Sequence, residues 1–271
     1  MTHPKTLLSQ LEAVPLRRLS QNFLVSPHWA ERLVAAIVDG APVDEIWEIG
    51  PGLGALTEGL LAKSPVPVRA FELDRKLGEH LATTFPALRL ERGDVLDADL
   101  EGFARGKRIA LLSNLPYHLS SPLLVRTLRF YPSLDRMVLT FQREFAARVI
   151  ASVGEDDYGS LAVLMNAAYR IESLGILPPG AFYPAPEVDS QALRFVPREA
   201  DENAPERFRR LETLVRAAFA HRRKKLVSNL RERFPQVPWS EKLEALGLAA
   251  DVRAEVVPIE AFRALTEWAH D

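Results

Sequence analysis

Glu45-Ile46-Trp47-Glu48-Ile49-Gly50-Pro51-Gly52-Leu53-Gly54-Ala55-Leu56-Thr57 carries a strand–turn–helix pattern from which the architecture can be read. The spacing predicts a short buried strand over Glu45–Ile49, a glycine-rich turn, and a helix over Ala55–Lys63. Outward from it the same alternation repeats. Ser26-Pro27 opens a helix with a hydroxyl cap and proline at the first position, and Trp29, Leu33, Ile37 and Val38 recur at helical spacing. Downstream, strands are expected over Pro67–Leu73, Leu88–Arg92, Arg108–Ser113 and Met137–Phe141. Helices are expected over Arg75–Thr84, Pro122–Phe130 and Arg143–Ser152. Strands alternating with helices imply a mostly parallel sheet covered on both faces. The last candidates, Ala167–Leu174 and Gln191–Val196, are joined by a short connection and suit antiparallel pairing at one edge. From Pro197 the composition changes. Residues 197–205, PREADENAP, lack large apolar side chains and read as a linker; beyond them the pattern is helical only. The expected division is an α/β domain over residues 1–200 and a small all-α domain over 201–271.

Composition narrows the chemistry. The 271 residues carry a formal net charge of −2 and no cysteine, which excludes disulfides, thiolate catalysis and cysteine-based metal sites. The six histidines (His3, His28, His80, His118, His221 and His270) are scattered, so no metal centre is expected. MTHPKTLLSQLEAVPLRR does not read as a secretory leader, and no apolar run approaches the roughly 18 residues of a membrane span, so a cytoplasmic protein is expected. Total charge is a poor guide to partners. His221–Arg233 holds Arg222, Arg223, Lys224, Lys225, Arg231 and Arg233 against Glu232, a local +5 masked by −7 elsewhere. Such a run suits nucleic-acid phosphates as well as an ordinary solvated helix face.

Glycines at 50, 52 and 54 let a ligand approach the backbone beside a helix N-terminus, and Glu72 ends the next strand where ribose hydroxyls are usually bound. Dinucleotides and S-adenosyl-L-methionine both suit this pattern, as does a plain tight turn. Glu48 separates the first two: an acid there opposes a pyrophosphate and suits the cationic methionyl end of S-adenosylmethionine. Asp94 ends the third strand, either as a turn residue or as an acceptor for an exocyclic amine such as adenine's. Ser113-Asn114-Leu115-Pro116-Tyr117 closes the fourth. An aminopurine nitrogen is a poor nucleophile because its lone pair is delocalised. The Asn114 amide oxygen and the Leu115 carbonyl, in a turn stiffened by Pro116, can accept its two hydrogens, while Tyr117 stacks on the base. In Pro178-Pro179-Gly180-Ala181-Phe182-Tyr183-Pro184, Phe182 or Tyr183 is a candidate second stacking face, or a cap on the core.

Taken in order, QNFL at 21–24, EIGPGLGALT, FELD, GDVL, NLPYHLSSPLL, VLTFQREFAARV, FYPAPEVDS and FAHRRKKLVSNL make the chain resemble the KsgA family of ribosomal RNA adenine N6,N6-dimethyltransferases over nearly its whole length. The resemblance implies a Rossmann-like methyltransferase fold and dimethylation of two adjacent adenosines near the 3′ end of small-subunit ribosomal RNA, on a 30S precursor during subunit biogenesis. It implies a cofactor set of Asn22, Leu24, Glu48, Gly50, Gly52, Glu72, Leu73, Asp94, Val95 and Asn114. The set at the target base is Asn114, Leu115, Pro116, Tyr117 and Phe182, with Arg222, Arg223, Lys224 and Lys225 on RNA. The family usually has glycine where this chain has Ser20. A monomer is expected. Two rival readings remain: a resistance-type methylase of large-subunit RNA, and a non-catalytic RNA- or transcription-associated module with a vestigial site. An NAD oxidoreductase would need a hydride-handling residue, and none is visible.

Overall fold

A computed structural model describes residues 4–11, 22–116, 119–198 and 203–270. The elements run α1 (Pro4–Gln10), β1 (Phe23–Leu24), α2 (Pro27–Val38), β2 (Glu45–Ile49), α3 (Ala55–Lys63), β3 (Val68–Glu72), α4 (Arg75–Thr84) and β4 (Arg89–Arg92). They continue with α5 (Leu100–Ala104), β5 (Ile109–Asn114), α6 (Ser120–Thr127), β6 (Leu134–Gln142), α7 (Arg143–Ile150) and α8 (Ser160–Ala168). The last are β7 (Tyr169–Leu177), β8 (Phe182–Tyr183), β9 (Ser190–Pro197), α9 (Ala204–Ala218), α10 (Leu226–Arg233), α11 (Trp239–Ala245) and α12 (Ile259–His270).

Seven strands form one sheet in the order β4-β3-β2-β5-β6-β9-β7. β2 pairs in parallel with β3 on one side and β5 on the other, and all five of its residues are buried. A strand covered on both faces has no solvent-facing side, so Ile46, Trp47 and Ile49 do not alternate with exposed polar residues, and its two acids, Glu45 and Glu48, are buried with hydrogen-bond partners. β9 joins β6 antiparallel, and β7 lies outermost beside β9, so the two last candidates are neighbours at one edge. α2 starts as its sequence implies, with the Ser26 hydroxyl accepting from the Trp29 amide and Pro27 in the first turn. It buries Trp29, Leu33, Val34 and Ile37 in a core shared with α3 and the inner strands.

The chain folds as two compact units, Met1–Ala146 with Ile171–Pro197, and Ala147–Arg170 with Arg198–Asp271. The boundary differs from the expected division near residue 200, because Ala147–Arg170 groups with the C-terminal helices. α8 explains this. Ala162, Val163, Leu164, Met165, Ala167 and Ala168 are all buried, and α9 packs against α8, α10 and α12. A helix apolar all round has no amphipathic period, so its end reads as part of the following strand. The expected linker falls partly outside the described residues, and α9 has already begun by Ala204.

At the amino end of β2, Glu45 is 1% exposed and receives the Trp47 indole N–H at 2.9 Å, Arg89 at 2.9 Å, and Arg69 and Lys107 at 3.2 Å. Burial alone pushes its pKa up, but the hydrogen bonds from Trp47, Arg69 and Lys107 and the Arg69 charge outweigh it and hold the carboxyl at about 2. A depressed carboxylate stabilises the fold above its unfolded value, and that contribution is lost as pH falls towards 2. Glu45→Gln is therefore expected to cost about 2–4 kcal/mol at pH 7, with the difference shrinking below pH 4. Urea unfolding at both pH values checks this, and an equal cost at pH 7 and pH 2.5 would contradict it.

Candidate functional site

Strands β2, β3 and β4 run outward in one direction from the middle of the sheet and β5 and β6 in the other. Chain order therefore reverses between β2 and β5, and in open α/β sheets ligands bind beyond the carboxyl ends of the strands at that reversal. Gly50 follows β2 and Asn114 ends β5, so these motif residues flank the crevice.

Gly50, Gly52 and Gly54 all have positive φ, at 66°, 59° and 86°. Only glycine adopts such angles freely, and at Gly52 a Cβ would also meet the Phe23 ring at 3.1 Å. The turn is stitched to β3 by Glu72, whose Oε2 accepts the Gly52 N–H at 3.0 Å and whose Oε1 accepts that of Asp74 at 2.8 Å. Burial nevertheless raises the Glu72 pKa, since desolvation outweighs these bonds. Glu48 is 1% exposed and receives the Thr57 hydroxyl at 2.7 Å. Burial, helped by the nearby Glu72 charge and opposed by the Thr57 bond, pushes its pKa up to about 8.

Two adjoining cavities share Gly50, Glu72 and Pro116. The first is lined by Asn22, Leu24, Glu48, Gly52, Asn114 and Leu115 among others, the second by Leu73, Asp94, Val95 and Leu119 among others. Leu73 is 47% exposed, an apolar side chain left open beside Asp94. Asp94 Oδ1 accepts the Leu96 N–H at 2.8 Å in a tight turn, and no hydrogen bond is made by its other oxygen among the described residues. Among the described residues no lysine or arginine lines either cavity, while the buried carboxyls of Glu48 and Glu72 do. That lining offers a pyrophosphate no cationic partner and suits a ligand with a cationic end, a vicinal diol and a flat ring. S-adenosylmethionine has all three.

The Asn114 amide is held from two sides. Its Nδ2 donates to the Asn22 carbonyl at 3.0 Å and its Oδ1 accepts the Thr140 hydroxyl at 2.7 Å. Ser113, buried beside it, donates its hydroxyl to the Ile49 carbonyl at 2.5 Å and ties the ends of β5 and β2 together. Tyr117 and the Ser20 segment lie outside the described residues. Phe182 departs from expectation. It is 4% exposed, sits in the main core cluster with Leu24 and Trp29, and lines neither cavity. The reason is β8, which pairs antiparallel with β1 and sets Phe182 opposite Leu24. Among the described residues the surroundings of Phe182 are those of a core side chain. Tyr183, opposite Phe23, is partly buried against Leu8, Phe23 and Leu77.

Thr57, Leu119 and Thr140 belong to the site and were not singled out from the sequence. Thr57 was within reach of inspection, since it lies in the first turn after the glycine loop that Glu48 precedes. Thr140 carries no such local signal.

In the second unit, Arg222, Arg223, Lys224 and Lys225 lie not in a helix but in the exposed turn between α9 and α10. Asn229 fixes that turn by donating to the Ala218 carbonyl at 2.7 Å and the His221 carbonyl at 3.1 Å. Arg222 donates to the Asp156 carbonyl at 2.9 Å, and Lys224 pairs with Glu232 at 2.7 Å.

A family model described as ribosomal RNA adenine dimethylase matches residues 16–271. The chain belongs to that family. It is 38% identical over 260 residues to Ribosomal RNA small subunit methyltransferase A of Acidobacterium capsulatum, covering 94% of this chain and 91% of that one. It is 37% identical to the protein of the same name from Geobacter metallireducens, over 92% of this chain and 94% of that one. Among solved structures, a dimethyladenosine transferase from Plasmodium falciparum superposes with a TM-score of 0.76 at 23% identity, covering 92% and 98% of the two chains. The 23S rRNA methyltransferase ErmE superposes with a TM-score of 0.65, also at 23% identity, over 92% and 100%. These two establish the likeness of fold. No helix among the described residues is long and apolar enough to cross a membrane, and no group of three or more His, Asp or Glu is placed to hold a metal ion.

Proposed function

We propose that this ribosomal RNA adenine dimethylase methylates N6 of two adjacent adenosines near the 3′ end of small-subunit ribosomal RNA, acting as a cytoplasmic monomer on a 30S precursor. The observation that carries the reading is the Asn114 amide, oriented by two hydrogen bonds at the lip of a cavity that also contains Glu48 and the glycine turn. The names of the relatives favour the small subunit over the large.

S-adenosylmethionine, when bound, supplies an electrophilic methyl group on a positively charged sulfur. Glu48 and the glycine turn would receive its methionyl end, Glu72 its ribose hydroxyls and Asp94 its adenine amine, and Leu73, Val95 and Leu119 would supply apolar contact to its base. Asn114 Oδ1 and the Leu115 carbonyl accept the two hydrogens of the target amine and draw its nitrogen towards tetrahedral geometry. That frees the lone pair to form the new N–C bond as the C–S bond breaks. The nitrogen then carries positive charge and sheds its proton to water, so no strongly basic side chain is required. Pro116 stiffens the turn, and Tyr117 stacks on the unstacked base.

Labelled S-adenosylmethionine incubated with isolated unmodified small subunits, and separately with large-subunit RNA, tests the assignment. Two adjacent dimethylated adenines near the small-subunit 3′ end are expected; label in large-subunit RNA alone would favour the resistance-type activity. The basic turn is the second arm. Neutralising Arg222, Arg223, Lys224 and Lys225 together should weaken RNA binding and lower the slope of log affinity against log salt by roughly 3. An unchanged slope would remove the turn from the interface.

A further inference from the structure

Asn114 is the last residue of β5, and its partner in the parallel register with β6 is Thr140. Register partners project to the same face of a sheet, which puts the Thr140 hydroxyl 2.7 Å from Asn114 Oδ1 although 26 residues separate them in the chain. Thr140 is 2% exposed, so bulk water does not compete for that hydroxyl. Its single proton has two acceptors in reach, Asn114 Oδ1 at 2.7 Å and the Ser113 carbonyl at 3.5 Å, and the shorter distance assigns it to Asn114. On the other side the amide donates to the Asn22 carbonyl, which can only accept. Turning the amide over would set oxygen against oxygen there, so its orientation is determined.

We propose that Thr140 is a positioning residue for methyl transfer, pinning the Asn114 amide oxygen so that its remaining lone pair faces a hydrogen of the target amine. This rests on the reading of Asn114 as the amine acceptor. A carboxamide oxygen has two acceptor directions; Thr140 takes one and leaves one. The terminal torsion of asparagine is soft, and a single bond to Asn22 would let the oxygen swing. A mechanism that relies on orientation is sensitive to displacements well under 1 Å.

Thr140→Val removes the hydroxyl and keeps the β-branched shape. With the full chain, labelled S-adenosylmethionine and unmodified small subunits, the single-turnover rate should fall about 10-fold. Cofactor affinity by calorimetry and KM for subunits should stay within about twofold, since binding does not use the pinned lone pair. Thr140→Ser should restore most of the rate. In an Asn114→Ala background, Thr140→Val should lower the residual rate no further, because the two residues act as one unit. A Thr140→Val protein at the wild-type rate, a fold-loss repeated in the Asn114→Ala background, or a failed serine rescue would each overturn the proposal. If Asn114→Ala alone transfers at the wild-type rate, the reading of Asn114 itself is wrong and the role of Thr140 falls with it.

Discussion

Asn114→Ala is expected to lower the single-turnover methyl-transfer rate by about 10²–10³-fold while RNA affinity stays within a few-fold. The magnitude follows from what the amide does. It is the side-chain acceptor at the lip of the cavity, pre-oriented by Asn22 and Thr140, so it stabilises developing positive charge on nitrogen without moving during the reaction. Truncation also leaves the Asn22 carbonyl and the Thr140 hydroxyl without these bonds, costing about 1–3 kcal/mol of stability. That is a small enough loss for the fold to survive. Rapid-quench methylation beside filter binding of the same RNA separates the two effects. A rate within threefold of wild type would show that the amide is not the acceptor.

Glu48→Gln is expected to weaken S-adenosylmethionine binding by roughly 100-fold at pH 7. A unit-charge pair at contact range contributes about 4 kcal/mol at an effective dielectric of 20. With the Glu48 pKa pushed up to about 8 in the free protein, ionising it at pH 7 costs about 1.4 kcal/mol. The remainder corresponds to about two decades. The sign is fixed by the same numbers. A bound cation favours the carboxylate, so wild-type affinity rises with pH up to about 8, and binding at pH 7 releases most of a proton. Calorimetry in two buffers of different ionisation enthalpy reads this release directly, and the glutamine protein should show none from this site. Cofactor-free stability moves the other way. A carboxyl whose folded pKa is raised contributes stability that is present below the unfolded value near 4.3 and is lost as pH rises through about 8. The Tm of Glu48→Gln relative to wild type should therefore increase between pH 5 and pH 9. A proton release near zero in the wild-type protein would end this account of Glu48.

Most of the sheet and one half of the site were legible locally. Glycines at 50, 52 and 54 announce a turn because no other residue adopts their φ values freely, and Glu48, Glu72, Asp94 and Asn114 announce themselves as polar residues at or just beyond the carboxyl ends of successive strands. Helix α8 was not legible. Buried on every side, it shows neither helical nor strand periodicity, and the grouping of Ala147–Arg170 with the C-terminal helices went unseen with it. The burial of Phe182 was not legible for a related reason. An aromatic in a proline-rich loop looks exposed until β1 pairs with β8 and encloses the ring.

Most of the alternation of strands and helices, the glycine turn, the acids near the strand ends and the basic run that total charge concealed follow from the amino-acid sequence alone. Each depends on residues near one another in the chain, where backbone sterics and burial period act locally. The orientation of the Asn114 amide, the raised pKa of Glu48 and the burial of Phe182 arise in the folded chain alone. Those depend on Thr140 lying opposite Asn114, on how completely water is excluded at Glu48, and on one short strand lying across another. Register and solvent exclusion are set between segments far apart in the chain, and no local pattern encodes them.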